Sequence, residues 1–229
     1  MTPRNQYRIE NASSPTPEIC LYGDIGYDGI TAAQVVKDLN ALGKKKDIIV
    51  RIDSPGGNVF DGTNIYNALV RNAANILVHI DALAASIASV IAMAGVEIHM
   101  ADNALMMIHE PACGVFGTAD ELTKMAGTLH KARENLVGIY ARRTGNKDTK
   151  VAGWMRDETW FTANEAFRAG MVTNITPSRA AMVAMASRDE LIKRYGYHNA
   201  PARLGHECAK PRMDAFHAKH GYLFEPIRA

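Results

Sequence analysis

Asp47-Ile-Ile-Val-Arg-Ile-Asp-Ser-Pro-Gly-Gly57 is an apolar run, rich in β-branched residues, that stops abruptly at a serine, a proline and two glycines. β-Branched side chains suit a pleated strand, and Pro-Gly-Gly cannot continue one, so residues 47–53 read as a strand ending in a tight turn. A helix is expected next, with Ile65, Leu69 and Val70 facing the core. Ile76-Leu-Val-His-Ile80 reads as a buried strand, and the small residues of 82–95 suit a tightly packed helix. Strands at 97–101 and 104–109 follow, joined by a turn at Asp102-Asn103. Upstream, residues 18–25 read as a strand, and Thr31-Ala-Ala-Gln34 as a capping box. The helix it opens carries Val35, Val36, Leu39 and Leu42 inward and stops at Gly43. Strands and helices alternating at this density mean an α/β layer structure with a largely parallel sheet.

Thr118-Ala-Asp-Glu121 is a second capping box, opening a long helix with Leu122, Met125, Leu129, Leu136 and Ile139 on one stripe. Arg142-Arg143 and Gly145 close it. Thr162-Ala-Asn-Glu165 opens a short helix closed by Gly170, and residues 171–175 are the last expected strand. The organisation predicted is a flexible arm over 1–17, a main α/β domain over 18–176 and an appendage over 177–229. After Ile175 there are nine Lys/Arg against five Asp/Glu, with one short helical stretch over about 180–195.

Composition narrows the function classes. The chain has 229 residues, 47% hydrophobic and 22% charged, with a net charge of +2, which gives no reason to expect nucleic acid as a partner. The longest apolar stretch, 82–96, is interrupted by Ser86 and Ser89 and falls short of the roughly 20 residues that cross a bilayer, so no membrane role is expected. The first residues hold no apolar signal region. Cys20, Cys113 and Cys208 are too few and too irregular for a disulfide framework; a reduced cytoplasmic setting fits.

Three segments could carry chemistry. Ser54-Pro-Gly-Gly57 can aim a backbone N–H into a cavity and so build an oxyanion hole, in which one donor is worth roughly 3–4 kcal/mol. An ordinary βα turn is the plainer alternative. Ala84-Ala-Ser-Ile-Ala88 sets Ser86 at a helix N-terminus, where it is either a nucleophile beside unpaired amides or merely an N-cap. Ser89, a turn further on, is expected to pack against its own helix. Met106-Met-Ile-His-Glu-Pro111 puts His109 at the end of a buried strand, on the edge where α/β sites form, as a base or a structural histidine.

In this order and spacing, strand–SPGG–helix, strand–AAS–helix and strand–MIHEP resemble the active-site framework of the Clp protease proteolytic subunit, over residues 21–175. The resemblance implies a crotonase-like α/β fold of stacked β-β-α units with a peripheral C-terminal tail. It implies Ser86 as nucleophile, His109 as base, and the amides of Gly57 and Ile87 as oxyanion hole. For the third member it points to Glu158 when the segment is aligned without gaps on Thr162–Ala166, with Asp157 as runner-up. Gly56 and the glycine-containing loop with Gly114, Val115 and Phe116 would line an extended peptide as an added strand.

Glu158-Thr-Trp160, Ala88 and the tail look most like the Clp-like head maturation proteases of tailed phages and prophages, which cleave scaffold and capsid precursors. The alternative is a housekeeping subunit working under a Clp ATPase ring. Less favoured are a crotonase-like acyl-CoA enzyme and an inactive structural ring. The resemblance also implies a homo-oligomeric ring (a heptamer or stacked rings), peptide-bond hydrolysis through an acyl-enzyme, and neither cofactor nor metal. The long helix from Thr118 would be the handle between rings. The tail is expected to recruit scaffold or to be trimmed by the enzyme itself. Two rival constellations are His206, Cys208, His217 and His220 as a zinc site, and Cys113 as a thiol nucleophile.

Overall fold

The structure, a computed structural model, describes residues 6–26, 28–178 and 188–201. Eight strands among the described residues form one sheet: β1 (Gln6–Glu10), β2 (Glu18–Tyr22), β3 (Asp47–Ser54), β4 (Asn75–Ala85), β5 (Glu97–Ala101), β6 (Leu105–Ile108), β7 (Thr159–Thr162) and β8 (Asn174–Thr176). Strands β1-β2-β3-β4-β5-β8 lie side by side, and β6 branches off β4 to pair with β7. All pairings are parallel except β1 with β2 and β6 with β7. The α/β fold with a largely parallel sheet is as the sequence predicts.

Strand β4 makes the branch. Its first half, Leu77–Ile80, pairs with β5, and its second half, Leu83–Ala85, pairs with β6. Burial changes with it. Along Ile76–Ile80 buried and half-buried residues alternate, the signature of a sheet covered on one face. From Asp81 to Ala85 every residue is buried, because a second apolar cluster covers the other face. In that cluster Leu83, Ala85 and Met107 pack with Leu191, Tyr197 and Ala200 from the C-terminal segment. Asp81 is satisfied across the strands by Arg51 and by the Tyr22 hydroxyl at 2.6 Å.

Seven helices complete the described residues: α1 (Ala32–Ala41), α2 (Val59–Arg71), α3 (Ile87–Ala92), α4 (Ala119–Thr144), α5 (Asp148–Arg156), α6 (Ala163–Arg168) and α7 (Arg188–Tyr195). The capping boxes at Thr118/Glu121 and Thr162/Glu165 are formed in both directions; at Thr31 the hydroxyl accepts from the Gln34 amide. The main core lies between the sheet and α1, α2, α3 and the C-terminal half of α4.

Several expectations are corrected. The segment 82–95 is not one helix: residues 82–85 continue β4, because paired Ala side chains fit a strand buried on both faces, and α3 is confined to Ile87–Ala92. The arm over 1–17 contains strand β1, whose Ile9 and Tyr7 pack on the core and whose backbone pairs with β2. Val70 is exposed, since the α2 face that meets the core runs through Ile65, Ala68 and Leu69. Leu122 is exposed as well, and the buried stripe of α4 begins only at Leu136. The segment expected to be coreless is not, for Leu191 and Tyr197 are buried against Leu83, Ala85 and Met107. Helix α5 has no counterpart in the sequence reading.

Helix α2 approaches α3 at Gly62, where a Cβ would lie 2.2 Å from Cγ1 of Ile87. Ile87 is itself buried and cannot swing away. Gly62→Ala gains up to about 1 kcal/mol of helix propensity but overpacks the contact by about 1–3 kcal/mol. Urea denaturation is expected to show a net loss of about 1–2 kcal/mol with an unchanged m-value.

Candidate active site

The parallel registers carry three strand ends to one edge. Ser54 at the end of β3 lies opposite Ala84, and Ala84 and Ala85 lie opposite Met106 and Met107 of β6. The residues that leave those ends are therefore neighbours: Pro55-Gly-Gly57 from β3, Ser86 from β4 and His109 from β6. Gly56 has φ 100°, and a Cβ there would lie 2.7 Å from the Ser86 Cβ and 2.8 Å from the Ala85 carbonyl oxygen. Only glycine fits so close a turn. Ile25 docks on the same turn, its amide donating to the Gly56 carbonyl and its carbonyl accepting from Asn58. Gly57 lies between those two bonded groups, with its own amide outside the pairing. Ile87 is the first helical residue of α3, where an amide has no intrahelical acceptor.

Ser86 occupies the N-cap position of α3 yet makes no side-chain capping bond. Its backbone has φ 54° and ψ −128°, outside the ordinary regions for a residue with a Cβ, a strain of order 1–3 kcal/mol. The surroundings hold it there. The Ser86 amide donates to the Met107 carbonyl at 2.9 Å, and its carbonyl accepts from the Ser89 amide at 3.0 Å and the Ser89 hydroxyl at 2.6 Å. Ser89 thus does more than pack on its own helix: its hydroxyl also reaches the Met107 carbonyl at 3.0 Å and the buried Tyr140 hydroxyl of α4 at 2.8 Å. Turned out of the capping position, the Ser86 Oγ lies 2.7 Å from Nε2 of His109.

Burial holds the His109 imidazole below the ordinary histidine range, opposed by the charges of Glu158 and Glu110, which pull it upward. At neutral pH the ring is therefore neutral, the form that accepts a proton. Glu158 makes its contribution through space. Its carboxylate accepts from Trp160 Nε1 at 3.1 Å and from the backbone amides of His198 at 2.9 Å and Asn199 at 2.8 Å. Glu158 and His109 share no hydrogen bond among the described residues. Glu158 has φ 46°, in the left-handed region that a residue with a Cβ seldom adopts. Asp157, the runner-up, is 67% exposed and paired only loosely with Arg156, at 3.4 Å.

A cavity of about 260 Å³ opens at this edge, lined by Gly57, Ser86, His109 and Pro111 together with Asp24, Tyr195 and Tyr197. Gly114, Val115 and Phe116 do not line it; they lie in an exposed loop, with Phe116 fully exposed, and pair with no strand among the described residues. Cys113 is likewise exposed on that loop and takes no place in the cavity. The residues His206, Cys208, His217 and His220 lie outside the described residues, among which no cluster of three or more His, Cys, Asp or Glu could hold a metal. No helix among them is long and apolar enough to cross a membrane.

Sequence reasoning missed Asp24, Arg194, Tyr195 and Tyr197. Asp24 follows the end of β2, parallel to β3, so the rule that sites gather at parallel strand ends reaches it. The tail residues carry no such signal.

Comparison with known proteins agrees with this arrangement. A family model described as Clp protease matches residues 4–179. The chain is 32% identical over 145 residues to the ATP-dependent Clp protease proteolytic subunit 3 of Rhodococcus jostii, covering 62% of this chain and 71% of that protein. It is 31% identical over 139 residues to the ATP-dependent Clp protease proteolytic subunit of Bacteroides fragilis, covering 60% and 67%. A third relative, the ATP-dependent Clp protease proteolytic subunit 2 of Treponema denticola, is 30% identical over 169 residues, 72% of this chain and 84% of its own length. With three strand ends meeting at a serine and a histidine, and a family match spanning most of its length, the chain belongs to the Clp protease family and is a serine endopeptidase.

Proposed function

We propose that Ser86 is the nucleophile and His109 the general base of peptide-bond hydrolysis through an acyl-enzyme. The observation that carries this is the 2.7 Å contact between the Ser86 hydroxyl and Nε2 of His109, made by a serine that forgoes capping its own helix. Ser86 Oγ attacks the scissile carbonyl while its proton passes to His109 Nε2. The amides of Gly57 and Ile87 receive the negative oxygen of the tetrahedral intermediate. On collapse the C–N bond breaks and the leaving amine takes the proton from His109. Water then attacks the acyl carbonyl, giving its proton to the same imidazole, and the free acid departs as Ser86 recovers its hydrogen. Glu158 orients and charges this histidine once its carboxylate leaves the amides that now hold it.

The relatives' names favour the reading of a proteolytic subunit acting with an ATP-consuming partner over that of a phage head maturation protease. The head-maturation reading keeps only its sequence likeness at Glu158-Thr-Trp160, Ala88 and the tail. Genes for portal and capsid beside the coding sequence favour it, and an unfoldase gene favours the subunit reading. A homo-oligomeric ring is supported by the N-terminal half of α4, which contributes no buried residue before Leu136 and leaves Leu122 exposed. Size-exclusion chromatography with light scattering reads the assembly directly.

Ser86→Ala is expected to lower peptide hydrolysis by about a thousandfold or more and to abolish labelling by a fluorophosphonate probe, with assembly unchanged. Persistent labelling in that variant sinks the assignment. Glu158→Ala should lower kcat by at least about tenfold, whereas Asp157→Ala, at an exposed site, changes it little; the reverse ranking moves the acid to Asp157.

Titration of the His109 ring by NMR, assigned with His109→Gln, should give a midpoint below the ordinary value of about 6.5. Glu158→Gln removes a charge that favours the imidazolium, so the midpoint falls further; a rise on that substitution rules out the through-space coupling.

A further inference from the structure

The C-terminal segment, the last turn of α7 and the residues that follow it, lies across the catalytic cavity. Tyr197 is buried between the strand ends: its hydroxyl donates to the Pro55 carbonyl at 2.7 Å, and its ring meets His109 edge-on with centroids 5.0 Å apart. The amides of His198 and Asn199 take up the carboxylate of Glu158, and Asn199 Nδ2 donates to the Asp157 carbonyl at 2.9 Å. One turn back, Arg194 and Tyr195 both reach the side chain of Asp24, the guanidinium at 2.5 Å and the phenol by a short hydrogen bond. Asp24 stands on the wall of the cavity that also holds Ser86 and His109, and with Arg194 and Tyr195 in place its side chain is 15% exposed.

We propose that Asp24 is a specificity determinant that receives a cationic side chain of the peptide substrate, and that residues 191–199 occupy this subsite and the catalytic cleft in cis as an intramolecular pseudosubstrate. The inference rests on the assignment of the cleft to peptide hydrolysis. A carboxylate shielded from solvent gains most from a guanidinium, which meets it with more than one N–H. Arg194 supplies that partner in the closed state, so a competing peptide must bring its own cation to replace it. The same displacement frees the Pro55 carbonyl, uncovers His109 and releases Glu158. Closure is favoured because the segment belongs to the same chain, so a peptide in trans competes with an intramolecular contact.

The segment offers no acyl group to Ser86 in this arrangement. The groups of the segment that meet the serine–histidine pair belong to the Tyr197 side chain, its phenol beside Ser86 and its ring at 71° to that of His109. It therefore blocks the cleft without being the bond that is cut there.

The test reads binding, not turnover. In the full chain carrying Ser86→Ala, fluorescence anisotropy measures two labelled peptides, one with the sequence of residues 188–201 and one with Arg194→Gln. Adding Arg194→Ala and Tyr197→Ala to the protein, to loosen its own segment, should tighten the Arg peptide by at least about tenfold. The Gln peptide should bind the loosened chain about tenfold more weakly than the Arg peptide. Adding Asp24→Asn should make the two peptides bind alike, with thermal melting confirming that each variant is folded. Equal affinity of the two peptides for the loosened chain, or a difference that survives Asp24→Asn, overturns the proposal.

A second arm times fluorophosphonate labelling of Ser86 in the otherwise native chain, expected to quicken at least about tenfold with Arg194→Ala and Tyr197→Ala. Slower labelling means that the segment builds the site rather than blocks it, which also overturns the proposal. Absence of labelling in every variant counts against the peptidase role of Ser86, while the binding arm still decides the role of Asp24.

Discussion

Everything at the site depends on three parallel strands ending in register. Because β3, β4 and β6 run the same way and pair with β4 at the centre, Ser54, Ala85 and Ile108 finish at one edge. The next residue or two from each end must then share a small volume. Parallel pairing makes this possible only through crossover helices, which is why α2 follows the glycine turn and α3 the serine. A register slip of one residue at β4–β6 would turn Ser86 away from His109, since alternate residues face opposite sides. The bond from the Ser86 amide to the Met107 carbonyl fixes that register at the point where it matters.

The strained backbone at Ser86 is held by groups with no chemical part to play. Ser89 and Tyr140 are fully buried, and their hydroxyls satisfy one another and the carbonyls of Ser86 and Met107. A buried hydroxyl left without a partner costs roughly 1–3 kcal/mol, comparable to the strain itself, so the network and the conformation stand or fall together. Tyr140 lies near the end of α4, whose other half extends without burying residues. Forces on that helix therefore have a physical route to Ser86, through one hydrogen-bonded pair.

How much of this was readable in the sequence varies with the kind of signal. Strand–turn punctuation is local, so Ser54-Pro-Gly-Gly57, Ser86 and His109 were each legible as candidates, and their grouping into one site came from the family resemblance of their order and spacing. The boundary between β4 and α3 was not readable, because Ala and Ser have no strong preference and both faces of the strand are buried; composition then mimics a helix. Residues 114–116 were expected beside the cleft on resemblance alone, and nothing in their side chains ties them to it. The tail defeated the reading for another reason. Its apolar residues, Leu191, Tyr197 and Ala200, are too few to show a period, and they find their core only on a surface made by distant strands.

That surface joins two properties of the site which are usually considered separately. The burial that keeps His109 neutral comes partly from Tyr197, and the carboxylate that would draw the ring's proton affinity up is held by the backbone of the two residues that follow it. Moving the segment away would admit water to the imidazole and free Glu158, and both changes raise the proton affinity of His109 towards the ordinary histidine range. On the proposed roles, the arrangement seen would pair a weak base with a covered serine, and displacement of the segment would give a stronger base and an empty cleft. Access and basicity change in the same movement, because one short stretch of chain, Tyr197 to Asn199, touches both partners of the histidine.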